Sequence, residues 1–290
     1  MEQNYKRIEL SDDYMFSTIM SENRQLCMRV LETILGFAIE SLEYVKDEEY
    51  IKSYATSHGV RLDVIAKTSG TVYDIEMQTI KRDDIPRRMR YYQSQIDISE
   101  LDRGRKYREL KDSYIIFICT FDLFEMGEYI YRFENFDCEK SLPLGDGAKK
   151  IVINTKGTKG DISQELKEFI TYIDKPQEAG RTLQTELVRD IDASVTERNK
   201  DEMWREKHMK LELDMQLRED IGMERGIAVG MRRGRKAGIA VGEKRGIAVG
   251  MTRGLDLARQ IFKLSLLGKT VPEIASQLSI DEDIVRSILE

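Results

Sequence analysis

Residues 60–78 read VRLDVIAKTSGTVYDIEMQ. Val60, Leu62, Val64 and Ala66 alternate with Arg61, Asp63, Ile65 and Lys67. Asp74, Glu76 and Gln78 alternate with Tyr73, Ile75 and Met77. Period-two patterning on both sides of Ser69-Gly70 predicts two short antiparallel strands joined by a tight turn. A two-residue loop sets Asp63 directly across from Glu76, with Gln78 further along the same face. Side chains opposed in this way have Cβ atoms roughly 4.5–5.5 Å apart. Two carboxylates at that spacing repel unless something positive lies between them. A hard divalent cation such as Mg²⁺ suits them, because it takes one or two protein carboxylates plus water and phosphate oxygens.

C-terminal to the hairpin, residues 82–103 predict a helix entered at Pro86, a residue that suits the first turn. Ile85, Met89, Tyr92, Ile96 and Ser99 trace its inward stripe. Arg87, Arg88, Arg90 and Tyr91 crowd its first half, and a second basic cluster follows at Arg103, Arg105, Lys106, Arg108 and Lys111. From Lys81 to Asp112 ten basic residues stand against seven acidic ones, a net charge of +3 inside a chain of net charge −6. Basic residues interleaved with Tyr91, Tyr92 and Tyr107 suit phosphate contacts and base or sugar stacking. An ordinary helix with surface ion pairs is the simpler reading, and the adjacent acidic hairpin weighs against it.

N-terminal to the hairpin, Ser11-Asp12-Asp13 caps a helix carrying Met15, Phe16, Ile19 and Met20. A second helix over residues 23–35 stops at Gly36. Asp13 and Glu32 are candidate site residues, against a cap for Asp13 and a solvated helix face for Glu32. A strand is expected at 39–45, then a solvated turn at Asp47-Glu48-Glu49, then His58 as a loop residue. Beyond the basic helix, SYIIFIC at 113–119 is a continuous apolar run, so a strand buried on both faces. Strands at 129–133 and 150–154 and a helix at 161–173 complete a mixed α/β sheet with helices packed on it.

The composition excludes several classes. Of 290 residues, only His58 and His208 are histidines, so one chain builds no multi-histidine zinc site and is poorly equipped for a Ser-His-Asp triad. Cys27, Cys119 and Cys138 show no CxxC spacing and predict buried thiols in a reducing cytoplasm. The N-terminus carries no signal-peptide pattern, and no stretch approaches the roughly 18 apolar residues of a membrane span. The expected protein is cytoplasmic, without a membrane.

The organisation changes near residue 177. Residues 1–176 form the expected catalytic domain and 177–220 a charged helical extension, with Trp204, Met209, Leu213 and Leu217 on one seam. In 221–254 glycine recurs every fourth residue, and GIAVG appears three times, starting at 226, 238 and 246. Such small-residue stripes let helix backbones approach closely. Glycine at this density weakens a lone helix, so a partner helix, hence a homo-oligomer, or partial disorder is expected. A repeat-expanded linker without a specific role is the alternative. Residues 255–290 form a small helix-turn-helix-like module whose last helix is acidic, which favours protein packing over base reading.

Asp63, then Glu76-Met77-Gln78 and a following helix, resembles the PD-(D/E)XK nuclease superfamily. Asp13-Tyr14-Met15-Phe16, RLDVIAK, YDIEMQ and Arg90-Tyr91 with the buried strand after it are similar, in that order, to the recombination-promoting nuclease/transposase family of bacteria. The resemblance covers about residues 9–220. It implies a restriction-endonuclease-like mixed sheet flanked by helices, and a Mg²⁺-dependent DNA endonuclease, with Mn²⁺ as the alternative ion, that promotes DNA recombination. It assigns metal binding to Asp63, Glu76 and the backbone carbonyl of Met77. Gln78 stands where most of the superfamily has lysine, and orients the attacking water. Arg87, Arg88, Arg90 and Tyr91 hold the DNA strand, and Asp13 is an accessory acid. Leu62 replaces the proline of the superfamily's name. A non-catalytic nucleic-acid-binding or self-assembling protein with a degenerate nuclease fold is the competing class, and a nuclease acting on RNA a third.

Overall fold

The computed structural model describes residues 6–51, 60–179 and 185–290. Its elements are α1 (Asp13–Glu22), α2 (Arg24–Leu35), β1 (Tyr44–Ile51), β2 (Val60–Lys67), β3 (Thr71–Gln78), α3 (Ile85–Glu100), β4 (Asp112–Cys119), β5 (Ile130–Phe133) and β6 (Ala148–Asn154). Then follow α4 (Gln164–Asp174), α5 (Pro176–Ala179), α6 (Glu186–Lys200), α7 (Glu202–Leu266), α8 (Val271–Leu278) and α9 (Glu282–Leu289). One six-stranded sheet runs in the order β1-β2-β3-β4-β6-β5. β1, β2 and β3 are antiparallel neighbours, β3, β4 and β6 run parallel, and β5 is antiparallel to β6. This is the expected mixed sheet with helices against it.

The hairpin forms in the predicted register. Val64 faces Ile75, Ile65 faces Asp74 and Lys67 faces Val72. Thr68 N donates to Thr71 O at 2.9 Å, which leaves Ser69-Gly70 as the turn. β4 is the centre of the sheet, and Ile115 to Cys119 are each 0% exposed, as a parallel strand covered on both faces requires.

β1 corrects the sequence reading. The strand begins at Tyr44 rather than at residue 39, and the acidic run Asp47-Glu48-Glu49 lies inside it, not in a turn. Pairing with β2 from Tyr44–Lys67 to Ile51–Val60 satisfies the backbone whatever the side chains are. Ile39 and Leu42 are buried, so their apolar signal reported burial of a loop. His58 lies outside the described residues.

Asp12, not Asp13, caps α1: its Oδ1 accepts from Met15 N at 2.9 Å. Its Oδ2 lies 3.0 Å from His208 Nε2. Glu32 Oε1 accepts from Ile39 N at 2.8 Å, anchoring the chain after Gly36, whose φ of 82° ends α2. The inward stripe of α3 is Ile85, Met89, Gln93 and Ile96, and Ser99 is exposed instead. A straight helix keeps one face at steps of four and three, and the sheet takes an amide at 93 because Ser113 Oγ accepts from it. Cys27 and Cys119 are buried, their thiols pushed up to about 12 by burial, whereas Cys138 is exposed, against expectation.

Contacts divide the chain into Met1–Met209 and Lys210–Glu290. The expected division at 176 falls within the first unit, because α6 buries Leu187, Val188, Ile191 and Val195. Trp204 in the first turn of α7 also belongs there: its ring stacks on Tyr14 at 5.4 Å, and its Nε1 donates to Thr18 Oγ1 at 3.2 Å. Trp204→Ala is expected to cost about 3 kcal/mol of unfolding free energy in urea titration, the range for removing a buried aromatic. A loss within error of zero would show that α7 adds nothing to the first unit.

In the second unit, Ile261, Ile274, Ala275 and Val285 form a small core that unites α8 and α9 with the end of α7. Thr270 N donates to Glu273 Oε2 at 2.8 Å, closing the start of α8. The glycine-rich segment is continuous helix, not partly disordered chain. Of the expected seam, Trp204 is buried, while Met209, Leu213 and Leu217 are exposed.

Candidate active site

The ladder between β2 and β3 stops at Val64–Ile75, and the next positions are joined through side chains instead. Asp63 N donates to Glu76 Oε1 at 3.0 Å, and Met77 N donates to Asp63 Oδ2 at 3.1 Å. Each carboxylate therefore takes an N–H from the opposite strand. That brings the two acids together at the mouth of the hairpin, as alternation and loop length required.

A third acid joins them. Asp74 lies two residues before Glu76 on the same strand face. It is 0% exposed, Glu76 is 2% exposed, and neither Asp74 carboxylate oxygen meets a hydrogen-bond donor among the described residues. Burial first, then the charge of Asp63, pushes the Asp74 carboxyl well above its usual range. Burial likewise raises Glu76, with Asp74 and Asp63 adding to it, against the Asp63 N–H and the Arg88 charge. Two ionised carboxylates cannot bond to each other, so a shared proton or a cation must relieve the pair. Two orphaned, buried carboxylate oxygens beside two further acids fit a hard divalent cation, whose preferred ligands are oxygens. The alternation that singled out Glu76 and Gln78 contained Asp74 too. Its burial and its lack of a donor among the described residues show only in the folded chain.

Arg88 brings a cation to the site. α3 is fixed by burial of Ile85 and Met89, which leaves Arg88 at the margin of the packed face. Its Nη1 donates to Gln78 Oε1 at 2.8 Å and its Nη2 to Tyr92 Oη at 2.9 Å. Glu76 Oε2 lies 3.8 Å from Nη2. The guanidinium sits over the Tyr92 and Phe117 rings, 5.4 and 5.6 Å from their centroids. Gln78 is held from both sides, since its Nε2 donates to Met77 O at 3.0 Å.

The remaining expected residues are placed as follows. Met77 O, expected to face a metal, accepts from the Gln78 amide. Arg87 and Arg90 are exposed, and with Asp84, Arg88, Tyr91 and Ser94 they line an open hollow on α3. Asp13 Oδ1 accepts from Tyr14 N at 2.8 Å, and Asp13 is not among the charges acting on Asp74 or Glu76. The second basic cluster is partly committed: Lys111 pairs with Glu100 at 3.3 Å and Arg105 with Glu109 at 3.2 Å.

A mixed sheet flanked by helices, with acids across a β-hairpin and a basic helix after it, defines a protein of the PD-(D/E)XK nuclease-like class. Residues 10–221 match the family described as PD-(D/E)XK nuclease family transposase, and the chain belongs to that family. No curated protein and no solved structure matches the chain. Among the described residues, no helix is long and apolar enough to cross a membrane.

Proposed function

We propose that the protein is a divalent-metal-dependent endonuclease that hydrolyses DNA phosphodiesters, with Mg²⁺ as its ion and recombination as the process its breaks serve. The observation that carries this reading is the trio Asp63 on β2 with Asp74 and Glu76 on β3, the last two buried, beside Arg88. Family membership supports the same class. Asp63 and Glu76 would hold the ion, with Asp74 beneath them. Once bound, such an ion supplies a lowered water pKa and polarises the phosphate. In the overall reaction the water oxygen bonds to phosphorus, the phosphorus–oxygen bond to the leaving sugar breaks, and the sugar oxygen ends as a hydroxyl by taking up a proton. Asp63 and Glu76 are themselves oriented by the N–H groups of Met77 and Asp63, so the acids are held ready by backbone rather than by flexible partners.

Arg87, Arg90 and Tyr91 are the strand-holding residues on this reading, because they line the open hollow on α3 together with Asp84, Arg88 and Ser94. Arg87→Ala with Arg90→Ala is expected to raise KM for duplex DNA several-fold and leave kcat within about two-fold. It should also flatten the log–log salt dependence of binding by up to about 2, roughly one unit per phosphate contact. An unchanged salt slope would remove these residues from the interface.

The test of the reading is cleavage of supercoiled plasmid by purified protein with Mg²⁺ or Mn²⁺, set against single-stranded DNA and RNA competitors. Absence of cleavage of any of these, in either metal, would leave the non-catalytic alternative.

A further inference from the structure

We infer that Arg88, presented by α3 through Gln78, is the cation that meets the charge developing on the scissile phosphate. Gln78 is then the positioning residue for Arg88 rather than the residue that orients water. This rests on the nuclease reading above and changes the roles within it.

The hairpin places an uncharged amide at position 78, beside the carboxylates. An amide donates a hydrogen bond but carries no net charge, so alone it cannot balance a phosphate gaining negative charge. The structure puts a guanidinium 2.8 Å from that amide's oxygen. Both hydrogen bonds that fix Arg88 go to neutral acceptors, Gln78 Oε1 and Tyr92 Oη. The nearest acid, Glu76, stands at 3.8 Å, beyond hydrogen-bonding distance. A guanidinium carries five N–H donors in a rigid fork that matches phosphate oxygens. Two neutral acceptors orient the fork without cancelling its charge. The Tyr92 and Phe117 rings, with centroids 5.4 and 5.6 Å from the guanidinium carbon, attract the cation and restrict its motion.

A surface counter-ion for Glu76 is the plainer role. It accounts poorly for two hydrogen bonds to neutral groups and a gap to the acid. It also leaves Gln78 unexplained, whereas a guanidinium at this distance explains it. A lysine at 78 would set two cations side by side, while an amide oxygen accepts from the arginine and its nitrogen ties back to Met77 O. Gln78 and Arg88 thus form a matched pair spanning strand and helix.

The experiment compares wild type with Arg88→Met, Gln78→Lys and the double variant Gln78→Lys/Arg88→Met. Methionine retains an unbranched apolar stem without the charge, and thermal melting checks that each variant is folded. Plasmid cleavage with Mg²⁺ is read as separate kcat and KM, and duplex affinity is read by anisotropy in Ca²⁺. Arg88→Met is expected to lower kcat about 10²–10³-fold, the cost of one preorganised charge-stabilising donor, with affinity within about three-fold of wild type. Gln78→Lys alone is expected to be impaired, because its cation faces Arg88. The double variant is expected to exceed Arg88→Met at least about ten-fold in kcat, the lysine restoring part of the missing charge. A drop in affinity matching the drop in kcat/KM, with kcat unchanged, would make Arg88 a strand-holding residue and overturn the inference. A double variant no better than Arg88→Met would overturn it as well. Wild-type inactivity on every substrate overturns the nuclease reading and this inference together, whereas an active wild type with fully active Arg88→Met overturns this inference alone.

Discussion

Asp63→Ala and Glu76→Ala are each expected to lower metal-dependent DNA cleavage by about 10³-fold or more, the scale set when one member of a cooperating catalytic group is removed. Each change has two consequences that must be separated. Asp63 accepts the Met77 N–H and Glu76 accepts the Asp63 N–H, so removing either acid opens the mouth of the hairpin as well as the ion site. Asp63→Asn and Glu76→Gln keep an acceptor oxygen for those N–H groups while removing the charge. They should fold with melting temperatures close to wild type and be as inactive as the alanine variants. Stabilisation of the protein by added Mg²⁺ should disappear in all four, because an ion bound to the native state alone raises stability by mass action. Cleavage undiminished in both alanine variants would end the assignment of the hairpin as the catalytic centre.

Asp74→Asn carries the second large effect, and its sign is opposite for stability and for ion binding. Asp74 is raised by burial and by the charge of Asp63, so its folded pKa lies above its unfolded value. Such a group favours the folded state below its unfolded pKa, and that contribution is lost as pH rises through the folded pKa. Above its unfolded pKa the wild type must therefore either keep a buried charge without a donor among the described residues or take up a proton on folding, and both cost stability. The asparagine variant does neither, and its amide adds a donor within the acidic group. Metal-free Asp74→Asn should be more stable than wild type at pH 8, by about 1–3 kcal/mol, the scale of one unsatisfied buried polar group. The gain should shrink as pH falls towards 4. In saturating Mg²⁺ the order should narrow or reverse, since the variant lacks one anionic oxygen donor. Melting curves at pH 4 and 8, with EDTA and with Mg²⁺, test both signs. A metal-free variant less stable than wild type at pH 8 would show that the nearby Arg88 charge already offsets the burial of Asp74.

Both predictions follow from a site legible to different degrees in the sequence. Local alternation fixes which face a strand residue occupies, and a two-residue turn fixes what lies across from it. Asp63, Glu76 and Gln78 were therefore assignable without tertiary information, and the pairing of Val64 with Ile75 continues that register. The apolar run 113–119 likewise announced the central strand, because only a strand covered on both faces can be apolar at every position. Asp74 had the right face, but its distinguishing property is burial without a donor among the described residues, which depends on how separate elements pack. Asp12 was chosen over Asp13 as the cap by where the first turn of α1 begins, a matter of one residue.

Other features were hidden because they depend on packing across distance. The acidic composition of residues 47–49 argued for a turn, and pairing with β2 overrode it. The seam from Trp204 to Leu217 read as one surface, yet Trp204 alone found an aromatic partner, in Tyr14 of α1. Arg88 was one of several basic residues on a helix and was grouped with Arg87 and Arg90. Burial of Ile85 and Met89 sets the rotation of α3, and that rotation alone turns Arg88 towards Gln78 while its neighbours face solvent.

The sequence by itself determined the hairpin, its register and the acidic pair across it, since these depend on residues within 19 positions of one another. Tertiary structure decided what surrounds that pair: the complete burial of Asp74, and the guanidinium that α3 brings to the amide of Gln78. The physical reason is range. Alternation and turn length act along the chain, whereas burial and the meeting of a helix side chain with a strand are set by how separate elements pack.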